Sequence, residues 1–128
     1  DIGAMVTFTG VVRSDPASPL IAMTLEHYQE LAEAEIAAIV VEAERRFELR
    51  DAMVIHRFGR LLPGEPIMQV IAVAPHRQAA FDGASFLMDY LKTGAPFWKK
   101  EETVSGSQWV EAKQVDDAAR DRWGSALS

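Results

Sequence analysis

Ile67-Met68-Gln69-Val70-Ile71-Ala72-Val73-Ala74-Pro75-His76-Arg77-Gln78-Ala79-Ala80-Phe81-Asp82-Gly83-Ala84-Ser85-Phe86-Leu87-Met88-Asp89-Tyr90-Leu91 changes its structural period at the proline. Before it, Ile67 to Ala74 is a β-branched, apolar run bounded by turn residues, which predicts a strand. After it, Ala80, Ala84, Leu87, Met88 and Leu91 recur at helical spacing until Gly94 and Pro96 stop them, and Pro75 suits a first helical turn. A strand therefore feeds an apolar helix, the central one of the fold.

Upstream, Ala52 to Phe58 reads as a strand that pairs with Ile67 to Ala74 in a hairpin with an extended loop. In that loop Leu62-Pro63-Gly64-Glu65 has proline then glycine at the central positions of a type II turn. From Glu30 to Phe47 the residues Ala32, Ile36, Ile39, Val40, Ala43 and Phe47 form one stripe, leaving Glu35, Glu42, Glu44 and Arg45 off it, the pattern of an amphipathic helix. Ile21, Met23, Leu25 and His27 alternate with Ala22, Thr24 and Glu26 as in a half-buried strand. Ala4 to Val12 is a further strand, and it opens so abruptly that a preceding strand is expected to be cut short. Arg13 to Pro19, with two prolines, is a mobile loop by composition.

Downstream, Phe97 to Thr103 and Gln108 to Ala112 flank Ser105-Gly106-Ser107 as a closing hairpin, with Trp98 and Trp109 as a cross-strand packing pair. Ala118, Ala119 and Trp123 suit a last helical turn or two. Strands mixed with two main helices, without strict alternation, predict an α+β fold with a mixed or antiparallel sheet. Residues 1–128 are read as one domain, since 128 residues leave little room for a second core.

Thirteen Lys and Arg against nineteen Asp and Glu give a net charge of −6, which disfavours nucleic acid and anionic membranes as partners. The longest apolar runs are too short to cross a bilayer and no secretory signal opens the chain, so a cytoplasmic location is expected. Absence of cysteine excludes disulfides and sulfur chemistry carried on this chain. With only His27, His56 and His76, and no metal-ligand spacing among them, no zinc or iron centre is expected.

In so acidic a chain, Lys92-Thr93-Gly94-Ala95-Pro96-Phe97-Trp98-Lys99-Lys100 concentrates positive charge. Lys92 and Lys99 bracket a Gly-Ala-Pro break that can fold them toward one point, where two ammonium groups lower each other's proton affinity and suit acid or base work. The plainer reading is a cation at a helix C-terminus and a solvated strand edge. His76 and Arg77 fall where a helix N-terminus favours an anion, and Arg13 can reach toward the same anion from the end of the first strand. The alternative is a packed histidine and an ion-paired arginine. His27 and His56 read as packed core histidines. Glu101 and Glu102 would face opposite sides of a strand, which disfavours a two-carboxylate hydrolytic site.

Gly3 to Arg13, Leu25-Glu26-His27-Tyr28, Ile55-His56-Arg57-Phe58-Gly59, Ala74-Pro75-His76-Arg77 and Met88 to Glu101, in this order, resemble the family of large, catalytic subunits of molybdopterin synthase. The resemblance runs from residue 3 to about residue 113, and the Tyr90-Leu91-Lys92-Thr93 to Trp98-Lys99-Lys100-Glu101 block is its most specific part. It implies an α/β-hammerhead fold and an enzyme, a sulfurtransferase without cofactor or metal. That enzyme moves sulfur from the C-terminal thiocarboxylate of a small ubiquitin-like carrier subunit to cyclic pyranopterin monophosphate, forming the molybdopterin dithiolene. It also implies a homodimer of this chain at the centre of a heterotetramer. By the same resemblance Lys92 and Lys99 are catalytic, Arg13, His76 and Arg77 bind substrate and come from both protomers, and Glu101 orients a lysine. Gln29-Glu30-Leu31 stands where the family commonly has Pro-Gly-Met. The competing function is a non-catalytic module for a ubiquitin-like tail, which would be marked by loss of a lysine or of the anion site.

Overall fold

The computed structural model describes residues 1–27, 29–93, 97–110 and Trp123. In chain order the elements are β1 (Ala4–Val11), β2 (Leu20–His27), α1 (Gln29–Phe47), β3 (Asp51–His56), β4 (Gly59–Leu61), β5 (Pro66–Ala74), α2 (Arg77–Thr93), β6 (Phe97–Thr103) and β7 (Gly106–Val110). They build an α+β fold with two antiparallel sheets, ordered β1-β5-β3 and β4-β2-β6-β7, where one sheet was expected.

The apolar run of β5 is the middle of the first sheet, paired with β1 from Ala4↔Ala74 to Gly10↔Met68 and with β3 from Asp51↔Val73 to His56↔Met68. One face of it, Met68, Val70, Ala72 and Ala74, is buried under both helices. Ile39 and Ala43 of α1 and Ala80, Ala84, Phe86, Leu87 and Leu91 of α2 complete that core. All but Phe86 are stripe positions of the sequence, so helical periodicity and strand alternation agree on one buried layer. Gly83 of α2 passes so near α1's end that a Cβ there would lie 2.9 Å from Leu49 Cδ1. Glu48 ends α1 in the left-handed region at φ 55°, and the Leu49 N–H then donates to the Glu44 carbonyl.

The loop inside the expected hairpin holds more than a turn. The type II reading of Leu62 to Glu65 is borne out: Gly64 has φ 90° and the Glu65 N–H donates to the Leu62 carbonyl at 3.1 Å. The preceding Gly59-Arg60-Leu61 is a short strand that leaves the first sheet and pairs with β2. It was missed because three residues are too few to show a period. Val12, Met23, Leu25 and Leu61 are buried there as a second cluster.

Three boundaries differ from expectation. α2 begins at Arg77 because the His76 carbonyl accepts the first bond, from the Ala80 N–H, which leaves Pro75 outside the helix. The closing hairpin turns at Val104-Ser105, with Thr103 opposite Gly106, so Trp109 faces Lys100 while Trp98 faces Glu26, and the two tryptophans are not directly opposed. Gln29-Glu30-Leu31 forms the first turn of α1. The expected helix stop at Gly94 and Pro96, and the expected turns at Ala118 and Ala119, lie outside the described residues. Trp123 sits at the edge of the core, its ring edge-on to Phe47 and Phe86 and its Nε1–H donating to Asp89.

Phe86 is 0% exposed and touches Phe47, Tyr90 and Trp123, whereas Phe81 on the same helix is 58% exposed. Phe86→Ala should cost about 3 to 5 kcal/mol of stability. Phe81→Ala should stay within about 0.5 kcal/mol of the parent in the same urea titration.

Candidate active site

β6 leaves the end of α2 and pairs along the whole of β2, with His27↔Phe97, Leu25↔Lys99, Thr24↔Lys100 and Met23↔Glu101. Directly opposed residues in an antiparallel pair share a face. Phe97, Lys99 and Glu101 therefore stand on the side of Leu25 and Met23, against the second cluster, and Trp98, Lys100 and Glu102 stand on the other. Glu101 and Glu102 are separated as expected: Glu101 Oε1 is 3.7 Å from Lys99 Nζ, and Glu102 accepts from Arg60 Nε at 3.1 Å.

Lys99 and Glu101 are both about one-third exposed, at 34% and 31%. A lysine so placed keeps its aliphatic stem on apolar neighbours and its ammonium within reach of a ligand. Lys92 is exposed in the last turn of α2, where the unpaired carbonyls of the helix end favour a cation. Arg13 is exposed and follows buried Val12. Val12 is held on both sides, its N–H donating to the Glu65 carbonyl and its own carbonyl accepting from Gly64, each at 2.8 Å. Val12 and Leu25 belong to the same cluster, so Arg13 and Lys99 flank one apolar patch.

His76 and Arg77 are exposed at the other end of α2. Fifteen residues separate Arg77 from Lys92, a rise of about 22 Å. β1 repeats the separation, since its Ala4 end lies beside Ala74 and the start of α2 while its Val11 end lies beside Pro66 and leads to Arg13. One chain thus brings Arg13, Lys92, Lys99 and Glu101 to one end and keeps His76 and Arg77 at the other. Within one chain Arg13 therefore lies at the opposite end from His76 and Arg77.

A ring stack that the sequence did not disclose borders the lysines. His27 lies on Phe58 with centroids 3.3 Å apart and planes 10° apart, and His56 lies 4.9 Å from Phe58 and 4.4 Å from Phe97. Nδ1 of His56 is 2.8 Å from the Arg57 carbonyl, an oxygen that can only accept, so the proton of the neutral ring is on Nδ1. Burial holds the His56 pKa below its ordinary 6.5; the Arg57 carbonyl opposes this and the charge of His27 adds to it. The structure places His27 and His56 at the ends of β2 and β3; a periodicity reading takes each alone. Among the described residues no group of three or more His, Asp or Glu is placed to hold a metal ion, and no helix is long and apolar enough to cross a membrane.

A family model described as MoaE protein matches residues 1–94. A molybdopterin synthase catalytic subunit of Rhizobium meliloti is 61% identical over 125 residues, covering 96% of this chain and 80% of that protein. A MoaE molybdopterin biosynthesis protein of known structure from Burkholderia ambifaria superposes with a TM-score of 0.80 at 50% identity, covering 97% of this chain and 82% of its own. At 18% identity the fold alone is shared with a Helicobacter pylori complex of subunits 1 and 2 of molybdopterin-converting factor, with a TM-score of 0.73 and coverage of 88% and 74%. With so much of the chain matched, and with Lys92, Lys99 and Glu101 set on one end of such a fold, the chain belongs to the MoaE family, the family of molybdopterin synthase catalytic subunits.

Proposed function

We propose that this chain catalyses the sulfur transfer that turns cyclic pyranopterin monophosphate into the molybdopterin dithiolene, taking each sulfur from the C-terminal thiocarboxylate of a small ubiquitin-like carrier subunit in the cytoplasm. The observation that carries this reading is the Lys99–Glu101 pair on the inner face of β6, one short link from Lys92. The lysine ammonium of residue 92 neutralises the carbonyl oxygen of the carrier tail as sulfur departs. Lys99, oriented by Glu101, gives or takes the proton on the substrate side. Because sulfur arrives on the carrier, a chain without cysteine suffices.

The partner reading rests on family membership, since the relatives are named as the catalytic subunit of an assembly. The homodimer reading is supported by geometry: about 22 Å of helix between Arg77 and Lys92 is more than one small substrate spans, so if both serve one site a second copy is what brings His76 and Arg77 to the lysines. The first sheet offers a surface for that copy. Its face away from the helices carries Met5, Met53 and Ile55, each at least half exposed. All five basic residues of the site are present, which argues against a module that only binds a ubiquitin-like tail.

Lys92→Ala should keep the fold and the carrier complex yet lose nearly all dithiolene formation in a single-turnover assay. Lys99→Ala should be strongly impaired and Lys100→Ala should stay within a few-fold of the parent, because Lys100 stands on the opposite face of β6. An inactive Lys100→Ala beside an active Lys99→Ala would reverse the active face.

Arg77→Ala should weaken binding of the pterin phosphate by roughly 1.5 to 3 kcal/mol, the range for a hydrogen bond to a charged group, read by calorimetric titration. Mixed with Lys92→Ala, it should regain about one quarter of the parent activity. Random pairing puts half the chains in heterodimers with one complete site of two. Absence of any recovery after subunit exchange would show that the two ends do not meet across protomers.

A further inference from the structure

The ring stack joins three strands that the active end depends on. His27 closes β2, His56 closes β3 and Phe97 opens β6, with Phe58 between the two imidazoles and 5.2 Å from Phe97. β3 belongs to the first sheet, β2 and β6 to the second, so the rings are a bridge between sheets. Phe97 shares its face with Lys99, two residues on, and stands directly opposite His27. Whatever fixes the Phe97 ring therefore fixes the start of the strand that presents Lys99.

We propose that His56, stacked with Phe58, Phe97 and through Phe58 with His27, is a positioning residue that holds the start of β6 only while its ring is uncharged, making sulfur transfer sensitive to mild acid. The inference rests on the proposed role of Lys99.

The surroundings of His56 offer little to balance a positive charge. From β2 it faces His27 across Phe58; from β6 it faces Phe97, with the Lys99–Glu101 pair next along that face. From β5 its register partner is buried Met68. Arg57, beside it, directs its guanidinium to the Pro66 carbonyl and to Glu65. Among the described residues no carboxylate bonds to His56, and its Nδ1 is already engaged by the Arg57 carbonyl. A charged ring over Phe58 would gain a cation–π attraction, but burial and the neighbouring histidine act against it, and the net sense is the lowered proton affinity already described. Since the folded ring binds its proton less readily than the unfolded one, the brace is intact above the ordinary value of 6.5 and is lost as pH falls through the lower value of the folded ring.

The test measures two things on the full chain in complex with its thiocarboxylated carrier subunit, between about pH 5 and 8, the range in which histidine titrates. One is single-turnover dithiolene formation from cyclic pyranopterin monophosphate; the other is amide hydrogen exchange in Phe97–Thr103. Below the inflection the rate should fall about tenfold per pH unit, as for one inhibitory protonation, with β6 protection falling in step. His56→Phe, which keeps a flat ring but cannot be protonated, should hold the rate within about threefold at high pH and abolish the acid loss. A parent protein whose β6 protection does not change with pH overturns the proposal, whether or not the variant folds. So does a folded His56→Phe that is as inactive as Lys99→Ala, which would make the imidazole a participant in the chemistry. An active Lys99→Ala with pH-dependent β6 protection overturns the role of Lys99 and leaves the brace standing.

Discussion

The register of β6 on β2 is the constraint on which the working end of this protein depends. Antiparallel pairing fixes which residues share a face, and a slip of one position would send Lys99 and Glu101 outward and bring Trp98 and Lys100 in. The register is held from both sides. Met23 and Leu25 of β2 are buried with Val12 and Leu61, so β2 cannot turn over without exposing that cluster. At the other end His27 is stacked on Phe58 and opposed to Phe97. Apolar burial sets the phase of the strand, and the phase sets which lysine faces the buried cluster.

The same logic explains why the basic residues fall into two distant groups. β5 is sandwiched between β1 and β3 and covered on one face by α2, which starts immediately after it. A helix returning over the strand it follows must end near that strand's beginning. Its N-terminal cations, His76 and Arg77, are therefore carried away from its C-terminal Lys92 by the length of the helix.

Much of this was legible in the sequence, for physical reasons that also mark where legibility stopped. The period change at Pro75, the stripe of α1 and the Pro63-Gly64 turn are local signals, each written in a few adjacent residues, and each is found where it was read. β4 was not legible, since three residues that owe their strand state to pairing with β2 carry no period of their own. The division into two sheets was missed as well, since it is set by which strands pair, β2 with β6 and β6 with β7, and not by any local pattern. At the site, the opposed faces of Glu101 and Glu102 follow from alternation alone. The ring stack does not, because it unites positions 27, 56, 58 and 97, and no spacing rule reaches across three strands. That Arg13 and Arg77 stand at opposite ends of one chain was not legible from charge, because it depends on the lengths and directions of β1 and α2.

The Lys99–Glu101 pair shows why a site of this kind need not be a source of stability. At 3.7 Å with both side chains about one-third exposed, it is an ion pair in a solvent-screened setting, worth at most about 1 kcal/mol. That weakness suits its place. A lysine locked into a buried, bidentate contact would have to lose several kcal/mol to engage an incoming anion. In the proposed role, a loosely paired lysine exchanges its carboxylate partner for substrate at small cost, while the carboxylate keeps the chain in one rotamer range until substrate arrives. The strong interactions lie one layer below, in the buried residues of β2 and its neighbours that fix the strand, so the rigid part and the exchangeable part are different side chains on one face of the β2–β6 pair.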